Sequence, residues 1–194
     1  MKIRFKKFVN MTEEETVSVW QMRNSDSVRL KMYTQDRIPL QNHIQWVSEL
    51  KDRSDCIYFL VRADDTIAGC VYFTSISEKQ CEWGYYLNPK LQNGGFGIVL
   101  EYYAIRYAFE TLGVEKLFGA VIESNSKLYK NHIRYFGFLS DSAFDSERTI
   151  NGNKIKFCGM SLKKSDWEKW RNPAVMKWIS ALGVKTPFLA SPSA

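Results

Sequence analysis

Between Leu87 and Ile98 the chain reads Asn-Pro-Lys-Leu-Gln-Asn-Gly-Gly-Phe-Gly, a turn ahead of a long amphipathic stretch. Gly94, Gly95 and Gly97 remove side chains where a helix begins, so backbone N–H groups and the positive helix end can meet an anion closely. The same glycines would also suit a plain tight turn with a helix cap. A P-loop needs Gly-Lys-Ser/Thr at its end, whereas Phe96-Gly97 follows Gly95. The dinucleotide fingerprint needs an early parallel βαβ unit, and the strands ahead of this loop read as an antiparallel meander. What remains is Gln-x-x-Gly-x-Gly, formed by Gln92, Gly95 and Gly97, between an antiparallel sheet and a helix.

Few other residues invite chemistry. The two histidines, His43 and His132, stand 89 positions apart with no partner at metal-ligand spacing, so no metal site is expected. Glu82 shares one strand face with Gly84 and Tyr86, where its carboxylate could relay a proton through water or stand as a solvated strand acid. Cys56, Cys70, Cys81 and Cys158 form no CxxC pair; they read as buried free thiols of a reducing compartment, the cytoplasm.

The elements around these residues follow from patterning. Residues 3 to 9 form a first strand, and Thr12-Glu13-Glu14-Glu15 is a capping box opening a helix through about Asn24. Pro39 opens a second helix with Ile44, Val47 and Leu50 on one face. Cys56 to Arg62, Ile67 to Ser75 and Lys79 to Leu87 alternate as strands, with Asp64-Asp65 turning the first pair. Ile98, Tyr102, Ile105, Phe109 and Leu112 define the clearest helix, closed by Gly113. A strand from Lys116 to Ile122, a helix from Asn125 to Phe136 closed by Gly137, and strands near 138–144 and 153–161 complete the domain. Ser165-Asp166-Trp167-Glu168 caps an appended helix, and Asn172-Pro173 starts another ending at Gly183. The expected organisation is one α/β (α+β) domain over 1–163, with 164–194 a helical extension and loose tail.

The chain has 194 residues, and 27 Lys and Arg against 21 Asp and Glu give a net charge of +6. Its 45% hydrophobic and 25% charged residues exclude a disordered or collagen-like chain. The longest apolar run, Cys56 to Val61, is far short of the ~20 residues that cross a bilayer. The N-terminus intersperses charges with apolar residues and never reaches a signal-peptide core, so neither membrane nor export is expected. Basic residues are dispersed without a run of five, which argues against nucleic acid and leaves a small polyanionic ligand as the partner of the positive field.

The loop, together with the strand Val121-Ile122-Glu123-Ser124 followed by Asn125, a helix and Gly137-Phe138, resembles the GNAT family of N-acetyltransferases over about residues 3 to 161. The resemblance implies the GNAT fold: a mixed, mostly antiparallel sheet of six to seven strands flanked by helices and splayed between strands 4 and 5. It implies acetyl-CoA as acetyl donor, with no metal. The pyrophosphate would lie on the amides of Gln92, Asn93, Gly94, Gly95, Phe96 and Gly97, the pantetheine along Tyr86 and Leu87, and Asn125 would contact an amide.

Arg23-Asn24, Met32-Tyr33, His43-Ile44-Gln45-Trp46 and Cys81-Glu82-Trp83-Gly84-Tyr85-Tyr86 carry a narrower resemblance. It is to the branch that acetylates the 4-amino group of a UDP-linked 4-amino-4,6-dideoxy sugar on the way to pseudaminic acid. By it, Arg23 and His43 would contact the nucleotide-sugar; otherwise Arg23 pairs with a surface acid and His43 packs beside Trp46 and Val47. Similar elements occur in acetyltransferases of ribosomal protein termini and aminoglycosides, and an acyl-CoA-sensing or nucleic-acid-binding module is the non-enzymatic alternative. A homodimer is admitted. In the family a Tyr seven residues after the Asn protonates the departing thiolate; here that position is His132, and Gly137-Phe138 arrives one residue late. His132 is therefore a candidate acid or a packed core residue, with Tyr135, and behind it Tyr129, as the other candidate acids.

Overall fold

The computed structural model describes residues 1–92, 94–150 and 152–182. Asn93, Gly183 and the tail read as loose lie outside them. Strands β1 (Ile3–Lys7), β2 (Ile57–Ala63), β3 (Thr66–Thr74) and β4 (Gln80–Leu87) form an antiparallel meander. Beyond it come β5 (Lys116–Ile122), β6 (Leu139–Ser140), β7 (Ser146–Ile150) and β8 (Asn153–Lys163). The sheet order is β1-β2-β3-β4-β5-β8-β6, with β7 also paired to β8. Every pairing is antiparallel except β4 with β5, which run parallel.

Helices cover both faces. In β2 the side chains alternate, Phe59 and Val61 entering one core and Leu60 the other. The second core is closed by α1 (Glu13–Asn24) and α3 (Leu40–Glu49), which contribute Val19 and Met22 from α1 and the half-buried Trp46 and Val47 from α3. The first, larger core holds α4 (Phe96–Arg106), which continues as a wide π-type turn over Tyr107–Leu112. Thr12 caps α1 through the reciprocal box with Glu15, worth about 1 kcal/mol. Gly113 and Gly137 end their helices in the left-handed region, at φ 73° and 76°.

Four local expectations are corrected. On α3 the inward residue is His43, 3% exposed, while Ile44 is 41% exposed, because the 43-46/47-50 stripe packs and 44 lies off it. The linker after α1 contains a short helix, α2 (Asp26–Arg29). The strand expected near 138–144 is only Leu139–Ser140; Asp141 then caps a 3-10 turn through Ala143 N–H, and β7 forms as an eighth strand. The helix α6 (Lys164–Lys169) starts one residue before Ser165, with Lys163 at the cap and no side-chain cap hydrogen bond.

Asn172 does cap α7 (Pro173–Ala181), as its sequence suggests. Trp167 and Trp170 stack at 4.7 Å and lie beside Tyr102 of α4, and Val175 is fully buried in the larger core. Residues 164–182 thus pack onto the same core as α4.

Candidate active site

β4 and β5 pair only over Gln80–Glu82 against Lys116–Phe118, although both strands run on well past that point. Parallel strands that lose their ladder leave backbone groups free to meet a ligand. The cleft that opens there has a volume of about 550 Å³. Tyr86, Leu87, Gln92, Gly95, Gly97 and Asn125 all line it. Gly94 does not, and the side chain of Phe96 turns into the larger core, leaving only its backbone for a ligand. Asn93 is outside the described residues.

Gly95 is the N-cap of α4 at φ 78°, and no side chain caps the helix. A Cβ added there would meet nothing within 4 Å. The turn therefore needs glycine for its dihedral rather than for internal packing, and the space it opens faces the cleft. Orphan first-turn amides beside such a space can receive phosphate oxygens.

The opposite wall comes from β5 and the helix after it. Asn125 is the N-cap of α5 (Ser126–Asn131) yet makes no side-chain cap bond, so its amide is left to the cleft. The helix continues as a π-type turn over His132–Phe136. A π turn accommodates one extra residue, which accounts for Gly137-Phe138 arriving one residue late. His132 lines the cleft while being only 2% exposed, and its Nδ1 lies 2.5 Å from Oε1 of Glu101, 1% exposed, on α4. Burial pushes the Glu101 carboxyl up from the ordinary carboxylate range, with His132 pulling the other way. Tyr135 also lines the cleft, against Trp178 at 5.6 Å. Tyr129 does not; its hydroxyl donates to the Gly159 carbonyl at 3.2 Å.

Glu101 was missed by sequence reading. Its signal was present: an acid at i+3 from Ile98 and i−4 from Ile105, on the apolar face of α4, has to find a buried partner.

A second pocket, about 440 Å³, joins the cleft at Met32, Tyr33, Tyr72, Glu82 and Tyr86, which line both. Arg23, near the end of α1, donates from Nη2 to the Thr34 carbonyl at 2.9 Å, and its Nη1 is buried with no hydrogen-bond partner among the described residues. His43 lies against Trp46, ring centroids 5.6 Å apart, and lines the same pocket, so packing and pocket lining coexist. Burial lowers its pKa and favours a neutral ring. Glu82 accepts from Thr74 Oγ1 at 3.1 Å and stands at the junction of the two cavities. Beside it Tyr33 is pushed up to about 12, by burial first and then by the Glu82 charge. The structure brings Arg23, His43 and Glu82 to one pocket, and Glu82, Tyr86, His132 and Tyr135 to the other.

Two cavities meeting end to end across a splayed sheet, one with a glycine-opened helix N-terminus, define a group-transfer enzyme. Residues 7–130 match the model of the acetyltransferase (GNAT) domain, and the chain belongs to that family. It is an acetyl-CoA-dependent N-acetyltransferase. Acetyltransferase PseH of Campylobacter jejuni is 34% identical over 128 residues, covering 66% of this chain and 80% of the relative. The crystal structure of Campylobacter jejuni N-acetyltransferase PseH in complex with acetyl coenzyme A superposes with a TM-score of 0.60 at 26% identity, over 84% of this chain and 99% of that one. Spermidine N-acetyltransferase from Vibrio cholerae, in complex with CoA and spermine, gives a TM-score of 0.77 at 17% identity, over 86% and 98% of the two chains. At that identity the likeness is one of fold alone.

Proposed function

We propose that this acetyltransferase acts on the 4-amino group of a UDP-linked amino-dideoxy sugar, in nucleotide-sugar biosynthesis of the pseudaminic-acid type. The observation that carries the reading is the buried, unpartnered Nη1 of Arg23 in a pocket that opens into the donor cleft at Glu82. A guanidinium only donates, so it requires an acceptor oxygen such as a phosphate or a carbonyl. The five aromatic rings lining that pocket, among them stacked Tyr58 and Tyr72 at 5.5 Å, suit a flat base. The likeness to PseH supports the same acceptor.

The net charge suggested a positive field for such an anion. The pocket lining instead holds one guanidinium and one carboxylate, Arg23 and Glu82, so recognition rests on hydrogen bonds and stacking more than on a positive field. A polycationic acceptor, protein amine or aminoglycoside, would find only Glu82 as counter-charge there.

In this reading the amides of residues 92 to 97 hold the pyrophosphate, Tyr86 and Leu87 guide the pantetheine, and Asn125 fixes an amide. Glu82 draws a proton from the acceptor ammonium through water, and the free amine attacks the thioester carbonyl. His132 or Tyr135 protonates the thiolate. Four free thiols fit a reducing cytoplasm.

Steady-state kinetics test the acceptor. Arg23→Ala removes a charge-assisted bond worth about 1.5–3 kcal/mol. It is expected to raise KM for the UDP-amino sugar about ten- to hundredfold and leave KM for acetyl-CoA unchanged. Equal turnover of the free amino sugar and its UDP-linked form by the wild type would overturn the nucleotide reading, as would preference for spermidine.

A further inference from the structure

Glu101 has no place in the chemistry assigned so far, and packing alone does not explain it. It sits on the apolar face of α4 among Ile98, Ile105 and Ala104, where a carboxylate costs far more than another aliphatic residue would. Its hydrogen-bond partner among the described residues is His132, Nδ1 to Oε1 at 2.5 Å. The ring is boxed edge-on by Trp83 at 5.6 Å, Phe138 at 5.8 Å and Tyr85 at 6.3 Å. A carboxylate on Nδ1 fixes both the tautomer and the plane of an imidazole, so the opposite nitrogen, Nε2, is the one available to a ligand.

We propose that Glu101 is a positioning residue: it accepts the Nδ1–H of His132 and thereby commits Nε2–H of that ring, rather than a tyrosine hydroxyl, to the leaving sulfur in the cleft. The proposal rests on the acetyl-transfer reading above and adds the identity of the proton donor and what orients it. The amine nitrogen forms its bond to the acetyl carbon, and the carbon–sulfur bond breaks with its electron pair going to sulfur. The Nε2 proton passes to that sulfur to give the thiol, and the amine's surplus proton leaves to water. The ring is then neutral beside a buried carboxylate with no counter-charge, an arrangement that draws a proton back from solvent and resets the pair. The titratable groups facing the ring are Glu101 from α4 and Tyr85 from β4. Lys127 and Tyr135 line the cleft from its own helix, and β5 and β8 present Ala120, Val121 and Met160.

The test uses Glu101→Gln, His132→Phe, and the double variant Glu101→Leu with His132→Phe, whose apolar pair replaces the buried charges and keeps the fold measurable should His132→Phe alone fail. His132→Phe is expected to lower kcat about a hundredfold with KM for both substrates held. Glu101→Gln is expected to lower it at least about tenfold and to change the shape of the kcat–pH profile. The double variant is expected to be no slower than His132→Phe. A double variant slower by a further tenfold, or Glu101→Gln with wild-type kcat and profile, would overturn the proposal. A second measurement needs no acceptor: nitrogen-15 spectra of the two labelled histidines, assigned with His132→Phe, should show His132 protonated at Nδ1. If the UDP-amino sugar is not turned over, the acceptor reading fails while these spectra still decide the pairing; a His132 bare at Nδ1 sinks it.

Discussion

Replacing Gly95 separates backbone strain from ligand contact, because its two properties are independent: φ is 78°, and nothing lies within 4 Å of an added Cβ. Gly95→Val combines a β-branched residue with the left-handed region, at a cost of about 2 kcal/mol or more in the free protein. For a chain of this size that is roughly a 4–8 °C fall in Tm. Gly95→Asn tolerates that region, so it should stay within about 1 kcal/mol, or roughly 2–4 °C, of wild type. Both side chains would enter the space where the pyrophosphate is proposed to lie. Losing two charge-assisted amide contacts at about 1.5 kcal/mol each gives about 3 kcal/mol, or a Kd for acetyl-CoA weaker by about a hundredfold or more. Calorimetric titration with acetyl-CoA and a thermal melt on each variant measure the two effects separately. A Gly95→Asn protein that melts like wild type and binds acetyl-CoA with wild-type affinity would refute the placement of the anion on this turn.

Two further substitutions probe the frame. Gly84→Ala would drive a Cβ into the Tyr72 ring and hydroxyl; overpacking of about 1–3 kcal/mol and a raised KM for the acceptor are expected, with acetyl-CoA affinity retained by titration. Thr12→Ala dissolves the capping box of α1; a loss of about 1 kcal/mol, read as a Tm lower by roughly 2–4 °C, should leave kcat unchanged.

Where local chemistry dictates structure, the sequence was readable. The capping box at Thr12, the apolar series of α4 and the left-handed glycines at 113 and 137 each name one conformation, and each is found. Where tertiary contact decides, it was not. Nothing local says that His43 rather than Ile44 turns inward; that follows from the Phe8 and Tyr58 rings that meet Trp46, the neighbour of His43 on the same face of α3. The short β6 arises because Asp141 is drawn into bonds with Ala143 N–H and Ser161 Oγ, contacts 2 and 20 residues away. In the site, the glycine turn and Asn125 were legible as a motif, while the Glu101 pairing joins residues 31 apart on two helices. Tyr33 gives another long-range case: from the loop after α2 it reaches Phe157 of β8 at 4.6 Å and lies under Arg148 of β7.

The one-residue excess after Asn125 that the family resemblance implies shows how a helix can absorb a change beside the candidate site. In an α-helix an added residue rotates everything beyond it by 100°, which would swing Phe136 and Phe138 out of the core. The π turn over His132–Phe136 takes up that rotation locally. Phe138 remains fully buried and stacked on Trp83 at 5.7 Å, and Phe136 stacks on Trp170 at 5.9 Å. The widened turn leaves helix-end carbonyls in need of donors, and the C-terminal helices supply them: Trp170 Nε1 and Asn172 Nδ2 both donate to the Tyr135 carbonyl, at 2.9 and 3.1 Å. At the first residue of the π turn His132 keeps the cleft position at which the family resemblance places a tyrosine, and Glu101 meets it from α4. Residues 164–182 therefore do more than cover α4; they hold the end of the helix whose irregular turn carries the candidate proton donor.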